Sequence, residues 1–99
     1  MTDVAVKVEK QLNLKEPPLY KVIFIDDDVT PMDFVINILM STFKHTLEES
    51  QELTHKIDAE GSAIVAILPY EIAEQHGIEV TVLARNNNYP LQVKIEADK

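Results

Sequence analysis

The sequence feature that most constrains the fold is the stretch of residues 22–43, which passes from an apolar run through three aspartates into a helical pattern. Residues 22–25 are β-branched or aromatic without a polar interruption, which predicts a strand that is central or buried on both faces. Thr30 is expected to be the N-cap of a helix, with Pro31 at the first helical position and Asp33 completing a Thr-x-x-Asp capping arrangement. The stretch therefore predicts a strand, an acidic turn and a capped helix in direct succession.

Two further helices and two further strands are suggested by the rest of the chain. Thr46 and Glu49 form a second capping box, and Gly61 should end the helix that the box opens. Residues 62–68 form an apolar strand, and Pro69 both ends it and opens a third helix. The predicted apolar helix faces comprise Phe34, Val35, Ile38, Leu39, Thr42 and Phe43, then Leu47, Ser50, Leu53, Thr54 and Ile57, then Ile72, Ala73, His76, Gly77, Val80, Leu83 and Ala84.

The segment of residues 78–82 supports two interpretations. Its positions fit the helical spacing of the third helix, but its strict alternation and β-branched residues are also typical of a strand. As a strand it would turn at residues 86–90 and pair with residues 91–97 in a hairpin. The local sequence alone leaves both interpretations open.

Length, charge and residue usage exclude several classes of protein. A chain of 99 residues forms one small domain, and its formal net charge of -8 opposes binding to nucleic acid or to an anionic membrane surface. Cysteine is absent, and the histidines at positions 45, 55 and 76 lack metal-ligand spacing, so neither a metal nor a cofactor is expected. Without an apolar segment of membrane-spanning length or a signal core, we expect a cytoplasmic protein. The sequence does not fix the oligomeric state, and a monomer is the default expectation.

The first 16 residues differ in pattern from the rest of the chain. They mix charged, small and scattered apolar residues before the break at residues 17–18, both of which are proline. The alternation of Val4, Val6 and Val8 is weak evidence for a strand without a turn or partner. We predict a flexible tail over residues 1–16 and a folded domain over residues 17–99.

A motif that continues from the aspartates through residues 30–35, TPMDFV, is the most specific pattern in the chain. With it, the sequence resembles the ClpS family, adaptors that hand substrates with N-terminal degradation signals (N-degrons) to a Clp unfoldase. The resemblance spans roughly residues 17–96, and is carried by residues 20–23, 26–28, 30–35, Gly61, residues 70–74, 84–85 and 90–91.

The resemblance implies an α+β fold and a non-enzymatic adaptor. It favours the helical interpretation of residues 69–87, giving the order β-α-α-β-α-β with a three-stranded antiparallel sheet packed on three helices in a two-layer sandwich. The implied partners are N-degron substrate proteins with bulky hydrophobic first residues and the N-terminal domain of a Clp AAA+ unfoldase of the ClpA or ClpC type. It also implies that the N-terminal tail promotes delivery of the substrate.

Site residues follow from the resemblance position by position. Asp26, Asp27 and Asp58 match positions that hold the ammonium group and the first peptide unit of the substrate, and Asp28 adds charge nearby. The positions that match the lining of the side-chain pocket are Thr30, Met32, Val35, Ile38, Thr54 and Ile57. Glu71 matches a residue that contacts the unfoldase, and His76 replaces a lysine at another such position.

Three of these positions depart from the family pattern. Asp58 stands where the family has a histidine, Asp26 replaces an asparagine, and Thr54 replaces a methionine or another large apolar residue. The acidic substitutions concentrate negative charge, which strengthens attraction for an ammonium or raises one carboxyl pKa by repulsion. Thr54 should make the pocket more polar or roomier and alter discrimination among Leu, Phe, Tyr and Trp.

An alternative interpretation is a phosphoacceptor receiver or a magnesium-dependent protein that uses the aspartates at 26–28. A strand ending in several carboxylates can present ligands to Mg²⁺. A receiver, however, needs a five-stranded parallel sheet in about 120 residues and a further aspartate after a strand, whereas Asp58 lies in a helical pattern. No glycine occupies the sixth position that an EF-hand requires, and no nucleophile or phosphate-loop motif is present.

Overall fold

Six elements follow one another in the computed structural model, which describes residues 17–99. Their bounds are β1 Leu19–Ile25, α1 Met32–Ser41, α2 Leu47–Glu60, β2 Ser62–Pro69, α3 Tyr70–Asn86 and β3 Gln92–Ala97. The predicted order β-α-α-β-α-β is confirmed. The prediction of a flexible tail concerns residues 1–16, which lie outside the described residues.

The sheet has β1 at its centre and antiparallel partners on both sides, in the order β2-β1-β3. Val22 and Phe24 are fully buried beneath the helices, whereas Ile23 and Ile25, on the opposite face, are only half-buried. The prediction of a central strand is therefore confirmed, and its alternative, burial on both faces, is wrong. The helices cover one face of the sheet, as a two-layer sandwich requires.

A β-bulge in β2 shifts its register against β1, because Val22 pairs with Ala66 and Ile23 pairs with Ile64. Val65 is the extra residue, and both Val65 and Ala66 pack against the core although they are neighbours in sequence. The carbonyl of Val65 receives a hydrogen bond of 2.7 Å from His45 Nε2. The bulge thus connects the turn before α2 to the sheet.

The apolar faces of the helices meet the sheet largely as their spacing predicts. The buried helical residues are Val35, Ile38 and Leu39 in α1, Ser50, Thr54 and Ile57 in α2, and Ala73, Gly77, Val80 and Ala84 in α3. Leu47, Ile72 and Leu83 were predicted on the same faces but are about half exposed, at 50%, 44% and 45%. These three lie at the margins of their apolar faces, beyond the width that the sheet covers.

Residues 78–82 belong to α3, so the hairpin alternative is wrong. Of the alternating apolar side chains only that of Val80 is buried, while Ile78 and Val82 are 58% and 53% exposed. Small residues let the helix approach the sheet closely, and a Cβ at Gly77 would lie 3.2 Å from Ile95 Cδ1. Packing of the helical face against the sheet outweighs the β propensity of the segment.

The two predicted N-caps have different outcomes. At α2 the capping box is present, since Thr46 Oγ1 accepts from the Glu49 amide at 3.1 Å and Glu49 Oε1 accepts from the Thr46 amide at 2.9 Å. At α1 the prediction of Thr30 as N-cap is wrong, because Pro31 occupies that position without a side-chain cap. The Thr30 hydroxyl instead donates to the Asp27 carboxylate, a charge-assisted bond stronger than a neutral cap.

Gly61 ends α2 with φ +89°, and its amide donates to the Ile57 carbonyl. No heavy atom would lie within 4 Å of an added Cβ, so only backbone strain opposes a side chain there.

We expect Gly61→Ala to lower the free energy of unfolding by about 1 kcal/mol in urea denaturation, and Gly61→Asn, which tolerates a left-handed backbone better, to lower it less. Equal stability of the Gly61→Ala variant and the wild type would contradict this account of the helix end.

Candidate functional site

A cavity of about 270 Å³ lies where the loop after β1 meets the last turns of α2. It is lined by Asp26, Asp27, Asp28, Thr30, Met32, Val35, Thr54, Ile57 and Asp58. All of the predicted substrate-binding residues except Ile38 therefore share one cavity. Ile38 does not line it and is 2% exposed within the hydrophobic core.

The acidic loop is held in shape by the side chain of Asp27. Its Oδ1 accepts from the amides of Val29 at 2.8 Å and Thr30 at 2.7 Å, and its Oδ2 accepts from the Thr30 hydroxyl at 2.8 Å. Such Asx-type bonds fix the backbone directly before α1. Both oxygens of Asp27 thus serve the loop.

Opposing effects act on the ionisation of Asp27. Partial burial of the carboxyl raises its pKa, but the hydrogen bonds from Thr30 and Val29 and the charge of Arg85 together outweigh burial. The pKa of Asp27 therefore lies below its ordinary value, and the carboxylate is ionised at neutral pH. Sequence reasoning did not assign Arg85 to the site, since its effect depends on the distant end of α3.

Three other carboxylates, those of Asp26, Asp28 and Asp58, are exposed at the mouth of the cavity. Within residues 17–99 none of them accepts a hydrogen bond or forms an ion pair. Asp58 is brought close by the end of α2, where the Asp26 amide donates to the Gly61 carbonyl at 2.9 Å. The mouth therefore presents carboxylates from the loop after β1 and from α2 that have no hydrogen-bond partner among the described residues.

Behind the mouth, the residues that line the cavity are apolar except for Thr54. Val35, Thr54 and Ile57 are between 4% and 6% exposed, and Met32 is 43% exposed near the opening. Thr54 Oγ1 donates to the Ser50 carbonyl one turn earlier in α2, at 2.7 Å. The cavity thus joins a negatively charged rim to a wall that suits a hydrophobic side chain.

Glu71 and His76, the two residues predicted to contact an unfoldase, lie on α3 and outside this cavity. Glu71 is exposed in the first helical turn. The side chain of His76 is 26% exposed, packs edge-on against Phe43 at 5.2 Å and lies 3.1 Å from Glu79 Oε1. Much of the His76 ring therefore serves to pack α3 against the turn that follows α1.

A second groove, of about 310 Å³, runs between α3 and the edge strand β3. Sequence reasoning did not anticipate it, because Ile78 and Val82 fit equally well into a buried strand. Its lining is Glu74, Gly77, Ile78, Thr81, Val82, Val93 and Ile95. Only one carboxylate borders this groove, so it lacks the charged rim of the first cavity.

Comparison with known proteins identifies the family. The profile of the family described as "ATP-dependent Clp protease adaptor protein ClpS" matches residues 15–94. The chain belongs to the ClpS family. The curated ClpS adapter of Treponema denticola is 46% identical over 81 residues, 82% of this chain and 80% of the relative. The ClpS adapter of Nautilia profundicola is 44% identical over 89 residues, 90% of this chain and 92% of the relative.

A solved ClpS structure supports the same fold. The structure of Agrobacterium tumefaciens ClpS2 bound to L-phenylalaninamide matches with a TM-score of 0.80 and 31% sequence identity, covering 84% of this chain and all of that one. The predicted α+β fold and the predicted family are thus confirmed, and membership implies that the protein is an adaptor of a Clp protease. The receiver alternative is wrong, because the sheet of the described residues is antiparallel and three-stranded.

Two further properties concern the described part of the chain. Among residues 17–99 no group of three or more histidine, aspartate or glutamate side chains is arranged to hold a metal ion. No helix in that part is long and apolar enough to cross a membrane.

The hydroxyl of Thr30 should contribute measurably to the low pKa of Asp27. We expect Thr30→Val to raise the pKa of Asp27 relative to the wild type in a carboxyl ¹³C NMR titration, with Thr30→Ser, which keeps the hydroxyl, as the control. The lowered pKa stabilises the fold above the ordinary aspartate pKa of about 4, and this contribution is lost as pH falls through the lowered value. The acid-dependent loss of stability should therefore be smaller in Thr30→Val, and an unchanged Asp27 pKa in that variant would refute the assignment.

Proposed function

We propose that this ClpS-family protein binds polypeptides by a free N-terminus with a bulky hydrophobic first residue and delivers them to a Clp AAA+ unfoldase. The observation that carries the proposal is the cavity beside the acidic loop. Carboxylates without a hydrogen-bond partner among residues 17–99 lie at its opening, and apolar side chains lie behind them. An α-ammonium group has three hydrogen-bond donors and no acceptor. The charged rim of the cavity therefore suits the ammonium group, and its apolar wall suits the side chain of the first residue.

We assign the ammonium to Asp26, Asp28 and Asp58, which have no competing partner among residues 17–99. The resemblance places Asp27 in this contact as well, and the three hydrogen bonds from the loop leave one lone-pair site of Oδ2 for it. Asp27 also shapes the loop and adds negative charge. The first side chain of the substrate would pack among Met32, Val35, Thr54 and Ile57.

The expected affinity follows from these contacts. Burial of a Leu or Phe side chain contributes about 1.5–3 kcal/mol. Each hydrogen bond to a charged group contributes about as much, and the loss of translational and rotational freedom on association opposes both. A dissociation constant in the micromolar range is consistent with these contributions. It corresponds to a binding free energy on the order of −8 kcal/mol.

The ligand of the solved relative has the chemistry that the cavity suits. L-Phenylalaninamide, bound by Agrobacterium tumefaciens ClpS2, carries a free α-amino group and a benzyl side chain, and its carboxyl group is an amide. It therefore resembles the first residue of a polypeptide. The match at 31% identity supports the same class of ligand for this protein.

Delivery requires a second surface that leaves the cavity open. Glu71 is exposed at the start of α3, and no residue of α3 lines the cavity. We assign Glu71, with the exposed part of His76, to the N-terminal domain of a ClpA-type or ClpC-type unfoldase. The protein would act without catalysis, by raising the effective concentration of the tethered substrate at the unfoldase.

A fluorescence-anisotropy titration tests the binding step. Labelled peptides that start with Leu, Phe, Tyr, Trp or Ala are compared with their N-acetylated twins. We expect micromolar binding of the four bulky free N-termini and a loss of at least tenfold on acetylation, which removes the positive charge. Weak binding of the Ala peptide provides the test of the side-chain contact.

A charge-matched pair of variants tests the site. We expect Asp58→Asn to weaken binding about 3- to 30-fold, because it removes a charged acceptor from the ammonium contact. Asp33→Asn removes the same charge from the exposed first turn of α1, outside the cavity, and should change affinity less than twofold. Equal binding of free and acetylated peptides would refute the proposed function.

A further inference from the structure

Two residues that line the cavity beside the acidic loop carry a hydroxyl group, and each hydroxyl donates a hydrogen bond to another group of the protein. Thr30 Oγ1 donates to Asp27 Oδ2 at 2.8 Å. Thr54 Oγ1 donates to the Ser50 carbonyl at 2.7 Å. The other polar side chains of the lining are the carboxylates of Asp26, Asp27, Asp28 and Asp58. Ionised carboxylates only accept hydrogen bonds, so every polar side chain of the lining acts toward a ligand as an acceptor.

Thr54 is the one such acceptor in the apolar part of the wall. It is 4% exposed and lies beside the nearly buried side chains of Val35 and Ile57. A threonine hydroxyl has one proton and two lone-pair sites, and the proton of Thr54 is committed to Ser50. The lone pairs of Oγ1 are left to receive a donor.

The position of Thr54 fits the end of a long aromatic side chain. Asp58, at the rim, and Thr54 are four residues apart in α2, which corresponds to about 6 Å along the helix axis. This distance is comparable with the reach of a tyrosine or tryptophan side chain. An N-terminal residue whose ammonium contacts Asp58 and whose ring runs back along α2 would bring the tip of the ring to the level of Thr54.

We propose that Thr54 is a specificity-determining residue that selects first residues with a hydrogen-bond donor at the ring, tyrosine and tryptophan, over phenylalanine. The inference rests on the proposed function and adds the chemical class of the preferred first residue. A tyrosine O–H or an indole N–H that enters the wall finds an acceptor in Thr54 Oγ1. A hydrogen bond of this kind raises affinity about 3- to 10-fold, while a phenylalanine ring leaves the acceptor without a partner.

Three otherwise identical peptides test the inference on the wild-type protein. They start with tyrosine, phenylalanine or O-methyltyrosine, whose ether oxygen has no proton to donate. By isothermal titration calorimetry we expect the tyrosine peptide to bind about 3- to 10-fold more tightly than either of the others. O-Methyltyrosine controls for ring electronics and for the size of the substituent.

Variants of α2 assign the preference to one hydroxyl. Thr54→Val keeps the shape but removes Oγ1, and we expect it to reduce the ratio of tyrosine affinity to phenylalanine affinity to about one. Thr54→Ser keeps an acceptor and should keep the preference. Ser50→Ala is the matched control, because it removes a buried hydroxyl one turn away but leaves the backbone carbonyl to which Thr54 donates.

The outcomes separate this inference from the proposed function. If the wild type binds all three peptides through the free amino group but binds phenylalanine as tightly as tyrosine, the role of Thr54 is refuted and the proposed function stands. A tyrosine preference that persists in Thr54→Val, or disappears in Ser50→Ala, also refutes the assignment to Thr54. Failure of every free N-terminus to bind refutes the proposed function itself.

Discussion

The three hydrogen bonds to the Asp27 carboxylate determine the path of the loop from which the rest of the site is built. They draw the Val29 and Thr30 amides and the Thr30 hydroxyl onto one side chain, directly after the central strand ends. They hold the backbone of residues 27–30 in one conformation directly before α1. Asp26 and Asp28, the neighbours of Asp27, lie at the cavity mouth, and their carboxylates accept no hydrogen bond from residues 17–99. One aspartate provides structure and the adjacent ones provide charge.

The second half of the site comes from α2, and the fold brings it to the loop through the end of that helix. The capping box at Thr46 fixes where α2 begins, and the left-handed Gly61 fixes where it ends. The Gly61 carbonyl then accepts from the Asp26 amide, which joins the start of β2 to the end of β1. The antiparallel pairing of β1 and β2 continues from this point, so the two walls of the cavity are attached to neighbouring strands.

Much of the fold was predictable because local patterns and packing agree along most of the chain. The capping box, the glycine helix end and the apolar run of residues 22–25 all specify elements that the structure contains. The N-cap of α1 was not predictable in the same way, since Thr30 had two possible partners and the ionised Asp27 is the stronger acceptor. Residues 78–82 have the alternation of a strand, and only their packing against the sheet makes them helical. The grouping of the site residues followed from the family resemblance, whereas the division of roles among the aspartates depends on hydrogen bonds that no spacing encodes.

The account requires that a free ammonium and an apolar side chain bind together beside the acidic loop. The most direct measurement is a ¹H–¹⁵N chemical-shift titration of the full chain with L-phenylalaninamide and with its N-acetyl derivative. The amides of residues 26–30, 32 and 54–58 should shift with the free amine and stay in place with the acetylated compound. Shifts of equal size for both compounds, or shifts confined to the groove between α3 and β3, would contradict the account.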